Sequence, residues 1–559
     1  VASTALRDEV DSPTPAAPDP AAAPSATRAM LRRRLLGRPR TAQEKLWAWL
    51  GPAIVTVIGG VLRFWDLGRP HQLVFDETYY VKQGWSMIRS GTEMRVPSDV
   101  KSPDALFTNG TPGLAYGTEG DLVVHPPVGK WLIGLGEKMF GIDDSFGWRF
   151  AVALLGTIAI FLVGRAAWHL FRSAFLATVA SLLLAVEGME FVHSRVGILD
   201  GIVMFWALAA FVAILADRDW ARVRLADKVA VMRDGGTFTG SSLLAGPRLG
   251  LRPWRWVAGI CLGLGMGTKW SVGFYLVAFG LMTVWWDLGA RRAVGVRRWV
   301  SATFIKDAIP AAVTMVGLTL VTYLVTWTGW FRSTDGYDRH WAQDNPAVKD
   351  NGLAADSSLF SWMPDSMRSL WKYHTEMYNS AASITSKHDY MSNPWSWMIQ
   401  GRPTSYFYES PKRGQEGCDV DACSKAITSL GNVSIWWVAT AALAVLLFAW
   451  LLRRDWRAAA ILGGIAAGWL PWFMYQERTI FTFYAVAFAP YVVLAVVYVC
   501  GLVLGGADAS PHRRKVGRAV VGGYVALAVA FFVFWWPIYT AQVIPYQQWN
   551  AHMWFPSWI

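Results

Sequence analysis

The sequence predicts an all-α polytopic membrane protein, and three observations predict it. Apolar runs long enough to cross a bilayer follow one another along most of the 559 residues. Hydrophobic residues make up 53% of the chain and charged residues only 16%, too apolar a balance for ordinary soluble domains. The basic residues gather in short connections between apolar runs, on alternate sides. A net charge of +12 in a soluble chain would suggest nucleic acid. Here the positive-inside rule accounts for it, and no nucleic-acid partner is expected. Most of the 33 Trp belong at membrane interfaces.

Residues 1 to about 27 are rich in Ala, Pro, Ser and Asp and read as unstructured, with no secretory signal pattern. RRRLLGRPR then forms a basic patch, so residues 1–45 are expected to be a cytoplasmic tail and 46–559 the membrane domain. About eleven spans are placed at 46–65, 147–170, 173–191, 197–216, 254–269, 271–288, 307–330, 434–452, 458–475, 480–505 and 519–541. With the amino terminus inside, the inner connections hold Arg165 and Arg172, then a run from Arg218 to Arg252, then Arg291 to Arg298, then Arg453 to Arg457, then Arg513 to Arg518. The short outer connections hold about one basic residue each: Arg195, Lys269 and Arg478. This bias puts the carboxyl terminus outside.

Two long segments fall on the outer side, 66–146 and 331–433. Loops of this length usually carry function. Residues 78–90 and 128–140 are expected to form interfacial helices within the first, and the aromatic closing segment to lie at the outer interface. Cys418 and Cys423, in GCDVDACS, bridge if the loop meets an oxidising compartment and the small loop permits it; sequence leaves this open. Cys261 and Cys500 fall inside apolar spans as packing residues.

The informative residues are ionisable groups at the outer span ends, because charge near hydrocarbon is costly. Asp76 and Glu77 sit side by side in FDETYY, a pair suited to proton abstraction or to holding a cation. His125 and Lys130 mark HPPVGK; Glu187 and Glu190 end the third span; Arg195 and Asp200 belong to HSRVGILD. Lys269 lies in GTKWS and Arg478 in QERT. Arg195, Lys269, Arg149 and Arg478 are candidates for binding a phosphate. Bland readings stand beside these: Glu187 or Glu190 paired with Arg195 or Arg149, Lys269 snorkelling, Arg478 an anchor, Asp76 a helix cap, His125 the start of a Pro-bounded helix. The loop aromatics Trp395, Trp397, Tyr406 and Tyr408 suit sugars, lipid tails or packing on the membrane equally. No His/Cys spacing resembles a zinc site; Asp76, Glu77 and a third acid could hold a divalent cation, but no metal or other cofactor is expected to be required.

Taken in order, FDETYY, HPPVGK, HSRVGILD, GTKWS, HDYMSNPWSW with RPTSYFY, and QERTIFTFY resemble the protein O-mannosyltransferases. The likeness is nearest to the actinobacterial polyprenyl-phosphate-mannose–protein mannosyltransferases, of the GT-C membrane fold, and runs from about residue 46 to the end. It implies inverting transfer of mannose from polyprenyl-phosphate-mannose to Ser or Thr of exported polypeptides, at the outer face of the cell membrane. It implies membrane lipids and the export machinery as partners. On the family's acidic motif Asp76 becomes the base and Glu77 its neighbour; Arg195 and Lys269 match the family's basic positions. His388, Tyr390, Trp395, Trp397 and Arg402 are expected to cover the site or bind the acceptor, with His125, Lys130, Glu190 and Asp200 as sugar contacts or supports. The outer loop 331–433 is too short for the β-trefoil insert of eukaryotic relatives, and the sequence around Phe483 and Tyr484 lacks a His that they carry.

The chemistry is consistent with these residues. A Ser or Thr hydroxyl needs a base, whereas a phosphodiester-type leaving group departs without an acid and needs positive charge. A like charge on Glu77 would raise the basicity of Asp76. Two other classes remain: a transferase with a lipid or glycan acceptor, and a lipid-linked-sugar transporter. The transporter would predict internal repeats and charges at mid-bilayer.

Overall fold

The computed structural model describes residues 25–114, 116–345, 362–506 and 509–559. The unstructured segment expected at residues 1–24 lies outside them. From there the tail expectation changes. Ala26–Leu36 is a helix capped by Ser25, and its Leu31 and Leu35 pack on Leu225, Ala226 and Val229. Arg32 pairs with Asp227 at 2.7 Å. The basic run hid an apolar i, i+4 pair that needs a helix to reach its partner.

The chain is an integral membrane protein. Among the described residues eight helices are long and apolar enough to cross a membrane: Ala42–Phe64, Ser145–Phe171, Leu199–Asp234, Val272–Ala293, Trp299–Thr326, Val433–Leu451, Thr482–Leu504 and Pro511–Tyr539. The other three expected spans are helical but short: Ala174–Ala185, Pro253–Met266 and Trp456–Trp469. The first of these stops early because the chain is recapped at Glu187. Glu187 turns back to accept from the backbone N–H groups of Met189 and Glu190, starting a new helix at Gly188. Its carboxylate also accepts from Trp436 Nε1 at 2.9 Å and the Asn432 N–H at 3.1 Å. Glu187 is thus a structural cap.

The helix Leu199–Asp234 has 36 residues, about 54 Å of rise, and so runs past the bilayer thickness. At that end Asp217, Asp287 and Asp307 meet Arg252, Arg255 and Arg291 in a buried network. Arg252 donates to Asp217 at 3.0 Å and to Asp287 at 2.7 Å. Mutual pairing makes these charges tolerable away from water, and the network ties four helices together.

At the opposite end lie the two long connections. The first forms the expected helices Glu77–Ser90 and Val128–Phe140. The second carries the amphipathic helix Asp365–Ala382, a 3₁₀ turn at Pro394–Ile399 and two strands, β1 (Thr404–Glu409) and β2 (Cys423–Ser429). A third strand, β3 (Val543–Pro545), joins antiparallel to β2 from near the carboxyl terminus, giving the order β1-β2-β3. This sheet departs from the all-α expectation locally. Cys418 and Cys423 are joined in a disulfide at the start of β2, with Cα atoms 6.0 Å apart.

Candidate active site

Asp76 is presented by a backbone held in an uncommon conformation. Phe75, just before it, has φ +50°, costly for an aromatic residue. Packing over-determines this position: the Phe75 ring stacks on Tyr406 at 4.6 Å and meets Phe483 edge-on at 5.4 Å. Asp76 then stands at the start of the helix Glu77–Ser90, yet its side chain makes no capping hydrogen bond. Among the described residues its carboxylate has no hydrogen-bond or ion-pair partner. It is half-buried, and burial pushes its pKa up to about 6. Lys269 opposes that rise and Asp200 adds to it. The expected cause was the charge of Glu77. The structure corrects this: the Glu77 charge is already matched.

Glu77 is fully buried and bidentate with Arg149, through Nε at 2.8 Å and Nη2 at 2.9 Å. It also accepts from the N–H of Gly197 at 2.7 Å and of Val74 at 2.9 Å. Arg149 spends its remaining donors on the carbonyls of Leu67, Pro70 and Gln72. The pair locks the loop that aims Asp76, so neither the chemical role expected of Glu77 nor the phosphate role of Arg149 fits. Arg195 is corrected likewise. Its guanidinium donates to the carbonyls of Arg63 at 2.8 Å, Trp65 at 2.6 Å and Asp66 at 3.0 Å, satisfying the orphan end of the helix Ala42–Phe64. Glu190 is buried against Arg63, and Lys130 against Glu93 with a further bond to the His125 carbonyl at 2.7 Å. Both are supports.

A cavity of about 250 Å³ opens around Lys269 and Asp200, the two groups whose charges act on Asp76. His125, Asp200, Lys269, Arg478 and Tyr484 line it, with Trp472, Trp270, Tyr378 and Tyr475 as aromatic walls. Lys269 donates to Asp200 at 2.7 Å and lies 5.5 Å from the Tyr484 ring centre. Arg478 is the less committed cation: its Nε is buried without a partner, and among the described residues its side chain forms no ion pair. Burial, with Lys269, Lys130 and Arg478 nearby, holds His125 well below the usual imidazole range, so the ring is neutral.

The outer-loop residues divide. Trp397 is fully buried, donates to Ser392 Oγ at 3.0 Å and backs Trp472 at 5.8 Å between ring centres. Trp395 is 72% exposed and rests edge-on against Phe473. His388 is exposed, 5.1 Å from Phe481. Arg402 donates to the carbonyls of Asp389 and Ser557 and covers the Tyr390 ring, tying the loop to the carboxyl-terminal segment. None of these except Trp397, indirectly, bears on the cavity wall.

Sequence reasoning missed Tyr484, Tyr378, Tyr475 and Trp270 as wall residues. Tyr378 lies in WKYHTEMYNS and Trp270 follows Lys269, so proximity to motifs was the signal available. It also missed His193, whose Nε2 lies 3.0 Å from the Tyr406 hydroxyl beneath Phe75. Among the described residues no group of three or more His, Cys, Asp or Glu side chains is placed to hold a metal ion. The arrangement offers one unspent base and two cations beside an aromatic-walled chamber, which suits hydroxyl attack on a carbon bearing a phosphate leaving group.

Comparison with known proteins agrees in kind. The family model described as dolichyl-phosphate-mannose-protein mannosyltransferase matches residues 53–221, and that for the C-terminal four-span region of protein-O-mannosyltransferase matches 366–558. The chain is 36% identical over 523 residues to a polyprenol-phosphate-mannose–protein mannosyltransferase of Mycobacterium tuberculosis, covering 92% of each chain. It is 34% identical to the protein of that name from Corynebacterium glutamicum, covering 90% of this chain and 92% of the relative. The fold resembles the Saccharomyces cerevisiae protein O-mannosyltransferase Pmt1-Pmt2 complex bound to the sugar donor, with a TM-score of 0.68 at 16% identity, over 96% of this chain and 94% of that one.

Proposed function

The chain belongs to the protein O-mannosyltransferase family, as a polyprenyl-phosphate-mannose–protein mannosyltransferase, and from that premise we propose that Asp76 is the general base of the transfer. The acceptor is a Ser or Thr hydroxyl of an exported polypeptide. Its oxygen attacks the anomeric carbon of mannose from the face opposite the phosphate. The bond from that carbon to the phosphate oxygen breaks, and its electron pair leaves on polyprenyl phosphate. The hydroxyl proton passes to the Asp76 carboxylate, and the sugar inverts. No acid is needed, because the departing phosphate is already a weak base.

Arg478 and Lys269 stabilise the charge that develops on that phosphate. Asp200 holds Lys269 in place. Trp472 and Tyr484, stacked at 4.5 Å, offer an aromatic wall for the sugar. His125 serves as a neutral hydrogen-bonding group. The enzyme lies in the cell membrane with its amino terminus inside, and the acidic motif faces acceptors emerging from the export machinery.

The observation that carries this reading is the unspent carboxylate of Asp76, within electrostatic reach of Lys269 and Asp200, which line the chamber together with Arg478. The test is direct. Purified full-length protein is incubated with labelled polyprenyl-phosphate-mannose and a Ser/Thr/Pro-rich peptide, and the products are separated. Label is expected on peptide hydroxyls, and Arg478→Met is expected to lower turnover by about 10²-fold or more. Label appearing in lipid or glycan, with none on the peptide, contradicts the assignment of acceptor.

A further inference from the structure

At the end of the bundle away from Asp76 lies a larger cavity, about 780 Å³. The helix Ala42–Phe64 starts beside it and ends near the active-site loop, so its 23 residues separate the two sites by about 34 Å. The lining is basic. Arg38 and Arg40 precede that helix, Arg172 ends the helix Ser145–Phe171, Arg457 opens another, and Arg513 and Arg518 come from the first turns of Pro511–Tyr539. Among the described residues Glu44 is the one acidic residue in the lining, and it is already used, capping Thr41 N–H at 2.9 Å and facing Arg40 at 3.7 Å.

Two further acids among the described residues are also spoken for. Arg172 pairs with Asp219, and Arg457 with Asp455 at 2.6 Å. Among the described residues the Arg38 and Arg518 side chains have no acidic partner, and Arg513 reaches only the Leu502 carbonyl at 3.4 Å. Two helix amino termini add to this positive field: Ser173 caps Ala174–Ala185 and Ser510 caps Pro511–Tyr539 at the rim. The floor is apolar, made by Phe171, Leu176 and Leu504. It continues to Phe175, 42% exposed, and Leu502, 44% exposed, on the outward surfaces of helices at this end.

We propose that this cavity binds the phosphate headgroup of an anionic membrane lipid, with its acyl chains leaving across Phe175 and Leu502. A surplus of guanidinium groups recognises the phosphate oxygens. The apolar floor opening onto the lipid-facing surface selects an amphiphile over a free anion. Basic pockets between membrane helices are suited to such headgroups. The site is separate from the transfer chamber and independent of the reading given for it.

The test uses full-length protein in detergent, stripped of lipid, then titrated with phosphatidylglycerol, phosphatidylcholine or inorganic phosphate. Bound species are counted by native mass spectrometry and unfolding temperature is followed in parallel. The variant Arg38→Gln/Arg513→Gln/Arg518→Gln is compared with Arg297→Gln/Arg298→Gln, which removes charge from the same end outside the cavity, and with Arg513→Lys/Arg518→Lys, which keeps it. Phosphatidylglycerol is expected to bind about tenfold or more tightly than phosphatidylcholine, and to lose that preference only in the triple variant. Equal retention of the two lipids, or an equal loss in the Arg297/Arg298 variant, overturns the site. Inorganic phosphate stabilising the protein as well as phosphatidylglycerol does overturns the lipid assignment. If the triple variant fails to fold, Arg38→Gln/Arg518→Gln decides: a lost preference supports the site, and a preference kept as in the Arg297/Arg298 variant overturns it.

Discussion

Asp76 and Glu77 are neighbours in sequence whose surroundings put them to opposite uses. Glu77 meets Arg149, 72 residues on, and the Gly197 N–H, 120 residues on, and is consumed by both. Removing its charge strands a buried guanidinium, a loss of about 3–5 kcal/mol. Glu77→Gln is therefore expected to lower the unfolding temperature markedly, while the molecules that stay folded keep donor affinity; thermal unfolding beside a donor-binding assay checks both. A Glu77→Gln protein of full stability but no turnover would return Glu77 to the chemistry. The sequence made the acidic stretch legible, because carboxylates at a span end are costly and invite explanation. It could not say which of the two was spent. That depends on partners brought together only by the fold, as does the commitment of Arg195 to carbonyls at the end of the first span.

At the scale of elements, the 3₁₀ turn Pro394–Ile399 buries one tryptophan and exposes another. Trp397 fills the space behind Trp472, so Trp397→Ala leaves a void costing about 3–5 kcal/mol and loosens the chamber wall. Trp395 rests outside on Phe473. Trp395→Ala is expected to change stability by about 0.5 kcal/mol or less, and single variants measured for unfolding and turnover separate the two. Equal destabilisation by both would contradict this division. Sequence grouped these residues because motif position carries no burial. Helical spans were legible from apolar run length. The sheet was not: β2 finds β3 across more than a hundred residues, and three residues of strand leave little pattern. Nor was the break after Ala185 legible: Glu187 caps the local N–H groups of Met189 and Glu190, and the Trp436 and Asn432 bonds that help satisfy its buried carboxylate come only with the fold.

The whole molecule has two chemically distinct ends. One gathers FDETYY, the aromatic-walled chamber and the disulfide loop; the other gathers the buried Arg–Asp network and the arginine-lined cavity. That polarity was legible, because Lys/Arg bias repeats at every connection. It predicts that a membrane-impermeant thiol reagent added outside labels a cysteine placed at Ser366 and spares one at Arg513, in a background with Cys261 and Cys500 replaced. The reverse pattern would put both motif loops on the wrong side for exported acceptors. In the proposed transfer the Asp76 carboxylate takes the acceptor proton. Burial places its pKa at about 6, so the reactive, deprotonated form dominates above that value. The decisive measurement is single-turnover mannosyl transfer to peptide across pH 5–8, for the unaltered protein and Asp76→Asn, with donor affinity measured alongside. The rate is expected to rise through pH about 6 and then level, and the Asn variant to be slower by about 10²–10⁴-fold with donor binding kept. Near-normal transfer by Asp76→Asn with the same rise through pH 6 would contradict this role of Asp76 and move the search to Asp200.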